Sequence, residues 1–72
     1  MGEIHQITYN PVNDRLVFHE EEIHCGQVLS CLIVKSGKPI WIVVRFEYDS
    51  EWYIPMFRDV SPVGLWAKRA DT

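Results

Sequence analysis

The densest run of chemically capable side chains is Trp41-x3-Arg45-x-Glu47-x4-Trp52-Tyr53. A flat aromatic beside a guanidinium suits a peptide, a nucleobase or a carboxylate. The same residues also make an ordinary structural arrangement, a surface Arg–Glu pair roofed by a tryptophan and holding a hairpin together. Such cross-strand pairs are worth about 0.2–1 kcal/mol each. Both readings stand at the level of sequence. The candidate binding set is Trp41, Arg45, Glu47, Trp52 and Tyr53, and no residue is assigned a catalytic role.

The other reactive residues carry weaker patterns. His24 and Cys25, with His5 or His19, could ligate a metal, but a closed site needs four ligands and nothing in their order demands one. No metal and no cofactor are expected. A Cys25–His pair could be nucleophilic on paper, yet a chain of 72 residues leaves little room for a cleft of the few-hundred-Å³ kind that enzymes use. Cys25 and Cys31 are separated by five residues, which is neither a zinc-ribbon nor a redox spacing. They are expected as free thiols in a reducing cytoplasm. Glu20-Glu21-Glu22 reads as a solvated loop, with docking to a basic partner as its functional alternative. None of the four glycines sits in a phosphate-cradling loop.

The elements that must hold these residues read as strands. Apolar positions fall in short runs between turn residues, and no segment shows helical periodicity. Glu3–Tyr9 alternates loosely, Asn10–Asp14 is a turn built on Pro11, and Arg15–His19 is a second strand. Residues 19–27 form the longer loop, with Gly26 bending the chain into Val28–Val34. Lys35–Pro39 closes that run. Ile40–Tyr48 alternates most clearly, placing Ile40, Ile42, Val44, Phe46 and Tyr48 toward a core and Trp41, Val43, Arg45 and Glu47 on a mixed surface. Asp49–Glu51 makes a hairpin to Trp52–Phe57, where Pro55 implies an edge or bulge. Arg58–Gly64 reads as a 3₁₀ turn or loop before a last strand at Leu65–Arg69.

The expected fold is all-β: a small, strongly bent SH3-like barrel of five to six short antiparallel strands, with a 3₁₀ turn before the last one. Curling a sheet this small removes its open edges and its wet face. An OB-like barrel would carry a helix that is not found here. The chain, residues 1–72, is expected to be one domain.

Composition excludes more than it assigns. The hydrophobic content of 47% and nine aromatics supply a core and argue against disorder. The net charge is −3, and no run of basic residues makes a phosphate-tracking stripe. That charge is uneven: residues 1–34 hold one basic and five acidic residues, whereas residues 35–72 hold six and five. The start, MGEIHQITYN, lacks a basic stretch followed by an apolar one, so no signal peptide is expected. No apolar run approaches the roughly 20 residues of a spanning helix. The expected location is the cytoplasm, with no membrane contact.

Ile23-His24-Cys25-Gly26, followed by Trp41-x3-Arg45-x-Glu47, Trp52-Tyr53, Gly64-Leu65 and Lys68-Arg69, resembles a family of small uncharacterised bacterial domains. The resemblance covers about residues 15–69. Two departures stand out: Ile42-Val43-Val44 replaces a polar or Pro-containing stretch, and Phe46 replaces Ile. The resemblance implies a small barrel and an origin in bacteria or their mobile elements, and it implies no activity.

These observations favour a non-enzymatic protein-interaction module, binding an unidentified protein partner through Trp41, Arg45, Glu47, Trp52 and Tyr53. The rival reading is a single-strand nucleic-acid binder that stacks bases on the same aromatics, with Lys35, Lys38, Arg58, Lys68 and Arg69 as its basic rim. A homodimer that enlarges an undersized core is the third reading.

Overall fold

β-Branched and aromatic runs separated by Gly, Pro, Asn and Asp give short antiparallel strands, and the computed structural model describes them over residues 3–70. In chain order the strands are β1 (His5–Gln6), β2 (Thr8–Asn10), β3 (Arg15–Phe18), β4 (Glu21–Glu22), β5 (Val28–Lys35), β6 (Lys38–Arg45), β7 (Glu47–Tyr48), β8 (Trp52–Tyr53) and β9 (Trp66–Lys68). They make a sheet ordered β1-β9-β5-β6, a second ordered β2-β3-β4, and the β7-β8 ribbon. No helix occurs among the described residues.

The expected five to six strands are thus divided more finely. Ile7 interrupts the first, where its N–H bonds Leu65 O and its carbonyl accepts from Gly64, both at 2.8 Å, lacing the first sheet to the second. Phe46 interrupts the clearest strand of the sequence. Its N–H donates to Gln27 O at 3.0 Å and its carbonyl accepts from Gly26 at 2.8 Å, so two residues oppose one. Gly26 holds φ at 85° and closes a turn in which Gln27 N–H bonds His24 O. This is a bulge with glycine at the left-handed position, and it turns β7 away from the line of β6. The last expected 3₁₀ element is instead a series of i→i+3 turns, Ile54–Phe57, Phe57–Val60 and Pro62–Leu65.

Closure into a barrel is not found among the described residues. β1 and β6 remain the outer strands of their sheet. The segments curl far enough to enclose one core, comprising Ile7, Leu16, Phe18, Ile23, Leu29, Cys31, Ile33, Val44, Phe46, Trp52, Ile54 and Ala67. β5 is the centre of the largest sheet, and Leu29, Cys31 and Ile33 point inward from it with period two.

The alternating face of residues 40–48 is narrower than the sequence implies. Val44 and Phe46 are fully buried and Ile42 is at the rim, but Ile40 and Tyr48 are about 40% exposed (41% and 40%). Ile40 fails because β6 is an outer strand and its hairpin tip reaches past the core. Tyr48 fails because the bulge at Phe46 redirects the chain beyond it.

The β5–β6 hairpin turns on two residues, Ser36 and Gly37, with φ of 53° and 79°. Positive φ at both positions matches the right-handed twist of the strands they join, and Gly37 adopts it without a Cβ penalty.

Candidate functional site

The hairpin fixes the outer face of β6. Lys35 and Lys38 flank a two-residue turn, so they form a hydrogen-bonded pair, and such pairs alternate along the ladder. Ile40, Ile42 and Val44 therefore bond β5. Pro39, Trp41, Val43 and Arg45 turn their backbone groups to the open edge. Pro39 needs no N–H there, which explains how a proline sits inside this strand.

Side chains of that set stand outward. Trp41 is 37% and Val43 54% exposed, and Val28, across from Arg45, is 46% exposed. Lys68 Nζ lies 4.5 Å from the centroid of the Trp41 ring. Residues 27–46 contain Lys35, Lys38 and Arg45 and no acidic residue. The face is aromatic, apolar and basic.

The five residues singled out from sequence divide into three groups. Arg45 Nε meets Glu47 Oε2 at 2.8 Å, and Glu47 pairs in register with Tyr53, so these three are neighbours. The Arg58 guanidinium covers the Tyr53 ring at 4.5 Å. A shallow cleft of about 330 Å³ between Val28, Val43, Arg45, Pro55 and Met56 adjoins this cluster. Trp41 shares the face of Arg45 but stands four residues, about 13 Å, along the strand. Trp52 is not brought to Arg45. It pairs with Tyr48, is only 9% exposed, and donates its indole N–H to Asp14 O at 2.9 Å.

Trp52 belongs to an arrangement that sequence reasoning missed. The Asp14 carboxylate accepts hydrogen bonds from the Tyr9 and Tyr48 hydroxyls, one on each oxygen. The Tyr48 and Tyr9 hydrogen bonds hold the Asp14 carboxyl below its ordinary pKa, and the same bonds raise both phenols. Asp14 has φ of 58°, at the end of a turn in which Asn10 Oδ1 accepts from Val12 N–H. Clefts of about 320 and 250 Å³ flank it, one beside Ser61–Val63 and the other beside Cys25. With its oxygens already engaged, Asp14 clamps the β2–β3 turn to the β7–β8 ribbon. The one local signal in the sequence was an acid placed to end a turn that follows the tyrosine-bearing β2.

Chemistry elsewhere is sparse. Both cysteines are free; Cys25 is exposed, whereas burial pushes the Cys31 thiol up to about 12. Glu21, in the acidic triplet, receives the Arg69 guanidinium at 2.8 Å, and this hydrogen bond lowers its pKa. Glu21 and Glu22 form β4 rather than a loop, because they pair with Val17 and Phe18. No helix of the described residues is long and apolar enough to cross a membrane.

A family model described as a domain of unknown function, DUF5348, matches residues 5–68. The chain belongs to the DUF5348 family. The match spans all nine strands, so the hairpin face and the Asp14 clamp both lie within the DUF5348 domain. No curated protein and no solved structure matches the chain.

Proposed function

We propose that this DUF5348 domain is a non-enzymatic protein-interaction module that receives an extended acidic segment of its partner along β6. The observation that carries the reading is the open edge: an eight-residue outer strand, exposed along Lys38–Trp41 and again at Val43 and Arg45. Strand addition there supplies main-chain hydrogen bonds from Trp41 and Val43, while side-chain contacts give specificity. Lys35, Lys38, Arg45 and Lys68 favour acidic side chains on the incoming strand. Glu47 holds Arg45 in place, Tyr53 pairs with Glu47 across the ribbon, and Trp52 supports the ribbon from the core side. The setting of this reading is a bacterial or phage-derived accessory protein in a reducing cytoplasm, modulating a larger complex.

The test is capture of an acidic extended peptide, and of protein partners from lysate, by the parent and by Trp41→Ala, Arg45→Ala and Val43→Pro. Proline at 43 removes an N–H that β5 does not use. All three variants should melt cooperatively and lose capture. If Trp41→Ala and Arg45→Ala simply unfold, or if Val43→Pro binds normally, the edge is not the site.

A second reading is favoured by the cation stacked on Trp41, with exposed Trp66 nearby on β9: a single nucleic-acid strand stacking on these rings. Oligonucleotide titration at low and high salt separates the two, since nucleic-acid binding must weaken steeply with salt. A homodimer through β6 is disfavoured, because antiparallel self-pairing sets basic residues of one copy beside those of the other. Light scattering reads that outcome directly.

A further inference from the structure

Away from the hairpin face, three metal-ligating side chains converge where the chain enters the first sheet. Glu3 and His5 lie two residues apart and so share a face. His19 follows β3 in a two-residue turn with Glu20, which pairs Phe18 with Glu21 and carries the His19 ring back over β1. The ring centroids of His5 and His19 are 4.1 Å apart at 37°, and the His5 ring meets Phe18 edge-on at 5.7 Å. His5 is thereby braced from both sides.

The geometry points to a binding site for a zinc-like divalent transition-metal ion, formed by Glu3, His5 and His19. One ligand atom from each lies within 4.8 Å of the others. Glu3 Oε1 is 2.9 Å from His5 Nε2 and 3.8 Å from His19 Nε2. A tetrahedral ion with bonds of about 2.0–2.1 Å separates its ligands by about 3.3–3.4 Å, between those two distances. Adjustment of the exposed Glu3 and His19 side chains would bring all three donors onto one ion. Two neutral imidazoles and one carboxylate suit zinc, cobalt, nickel or copper and disfavour magnesium and calcium, which seek oxygen cages. Water fills the fourth position.

Glu21, which closes the His19–Glu20 turn opposite Phe18, is engaged by Arg69 at 2.8 Å. His24 and Cys25, the metal pair considered from sequence, are not part of the group. A bound ion would tie β1 to the β3–β4 turn, fastening a strand of only two residues.

Zinc, cobalt and magnesium are titrated into the full chain by calorimetry, thermal melting and, for cobalt, visible absorption. Zinc should bind one to one and raise the melting temperature with its concentration, whereas magnesium should do neither. Cobalt should give a tetrahedral d–d spectrum without a thiolate charge-transfer band. His19→Asn, which tolerates the left-handed φ of 52°, should weaken zinc binding by more than about tenfold. His5→Gln and Glu3→Gln should weaken it as well, whereas His24→Ala and Cys25→Ser should not. Unaltered zinc affinity in His19→Asn, a thiolate band with cobalt, or an equal response to magnesium would overturn the assignment. Should His5→Gln fail to fold by far-ultraviolet dichroism, His19→Asn decides alone.

Discussion

Trp41 and Trp52 belong to the same sequence pattern, and the fold gives them opposite energetic roles. Truncating each measures the difference. Trp52 is 9% exposed within the core and donates to Asp14 O. Trp→Ala at such a site costs about 3–5 kcal/mol through lost transfer energy and the cavity left behind. The lost indole hydrogen bond adds about 1 kcal/mol. At about 0.05–0.15 kcal/mol per residue a chain of this size holds roughly 4–11 kcal/mol in all, and a small core favours the lower part. Trp52→Ala should therefore leave the domain largely unfolded at 25 °C. Trp52→Phe keeps a ring but loses the N–H, and should lower the melting temperature by about 4–8 °C, the shift expected per kcal/mol in domains this size. Trp41 rests on an outer strand under Lys68, so Trp41→Ala should cost about 1 kcal/mol, the scale of one cross-strand pair and one cation–π contact. Urea unfolding followed by far-ultraviolet dichroism is the assay, because fluorescence would change with the tryptophan itself. The midpoint should move while the slope stays constant. A Trp52→Ala protein within about 1 kcal/mol of the parent, or a Trp41→Ala protein as damaged as Trp52→Ala, would refute this division.

The remaining predictions use the other buried and hydrogen-bonded groups. A thiol reagent should label one cysteine per folded chain, exposed Cys25, and reach Cys31 only in urea, since burial both covers that thiol and pushes its pKa up to about 12; equal native rates would show that Cys31 is not enclosed. Asp14 is held below its ordinary 3.8 by Tyr48 and Tyr9, with Arg15 adding a smaller attraction, so its stabilising effect is present above the unfolded value and lost as pH falls through the native one. The two phenols, raised above 10.0 by Asp14, contribute below their unfolded value, and that contribution is lost as pH rises through the native values. Asp14→Asn should flatten both limbs of the urea-midpoint profile, and unchanged limbs would remove the clamp. At the β5–β6 turn Gly37→Ala should cost about 1–2 kcal/mol at its φ of 79°, although its Cβ would meet open space. Ser36→Asn should raise the melting temperature, and a Gly37→Ala midpoint equal to the parent's would exclude the positive-φ turn.

Alternation and turn chemistry made the strands legible before their pairing was. The hairpin at Ser36-Gly37, the bend at Gly26 and the outward set Trp41, Val43 and Arg45 all follow from local rules that need no knowledge of distant partners. What escaped is non-local. The bulge at Phe46 exists because Gly26 and Gln27 bond it from the far side of the hairpin, 19 and 20 residues away in sequence, and no feature of Arg45-Phe46-Glu47 announces it. The misplaced inward Tyr48 is a consequence of that bulge. Glu21 and Glu22 look like a solvated loop because their pairing is supplied by Val17 and Phe18 rather than by any preference of their own. Asp14 likewise gains its role only when the fold brings Tyr48 to it across 34 residues. Trp52 and Tyr53 are adjacent, so opposite faces were certain, but only the register with Glu47 and Tyr48 decides which of them meets Arg45.

An open strand is a hazard that a small domain must manage. A long apolar edge templates pairing with any extended chain, and proteins blunt such edges with proline and lysine. β6 carries both at one end, Lys38 and Pro39, and an arginine at the other. Proline removes a donor where the edge begins. The charges disfavour a second copy of this strand, because a centred antiparallel pairing would set Lys38 of one copy opposite Arg45 of the other. They do not discourage an acidic strand; they attract it. If β6 receives a partner strand as proposed, the devices that protect it from its own kind also choose the charge of what can add to it, and protection and selectivity become one electrostatic property. Salt screens surface charges over about 8–10 Å at physiological strength. On the proposed reading, the ionic strength that loosens an acidic partner must also lower the barrier to self-pairing.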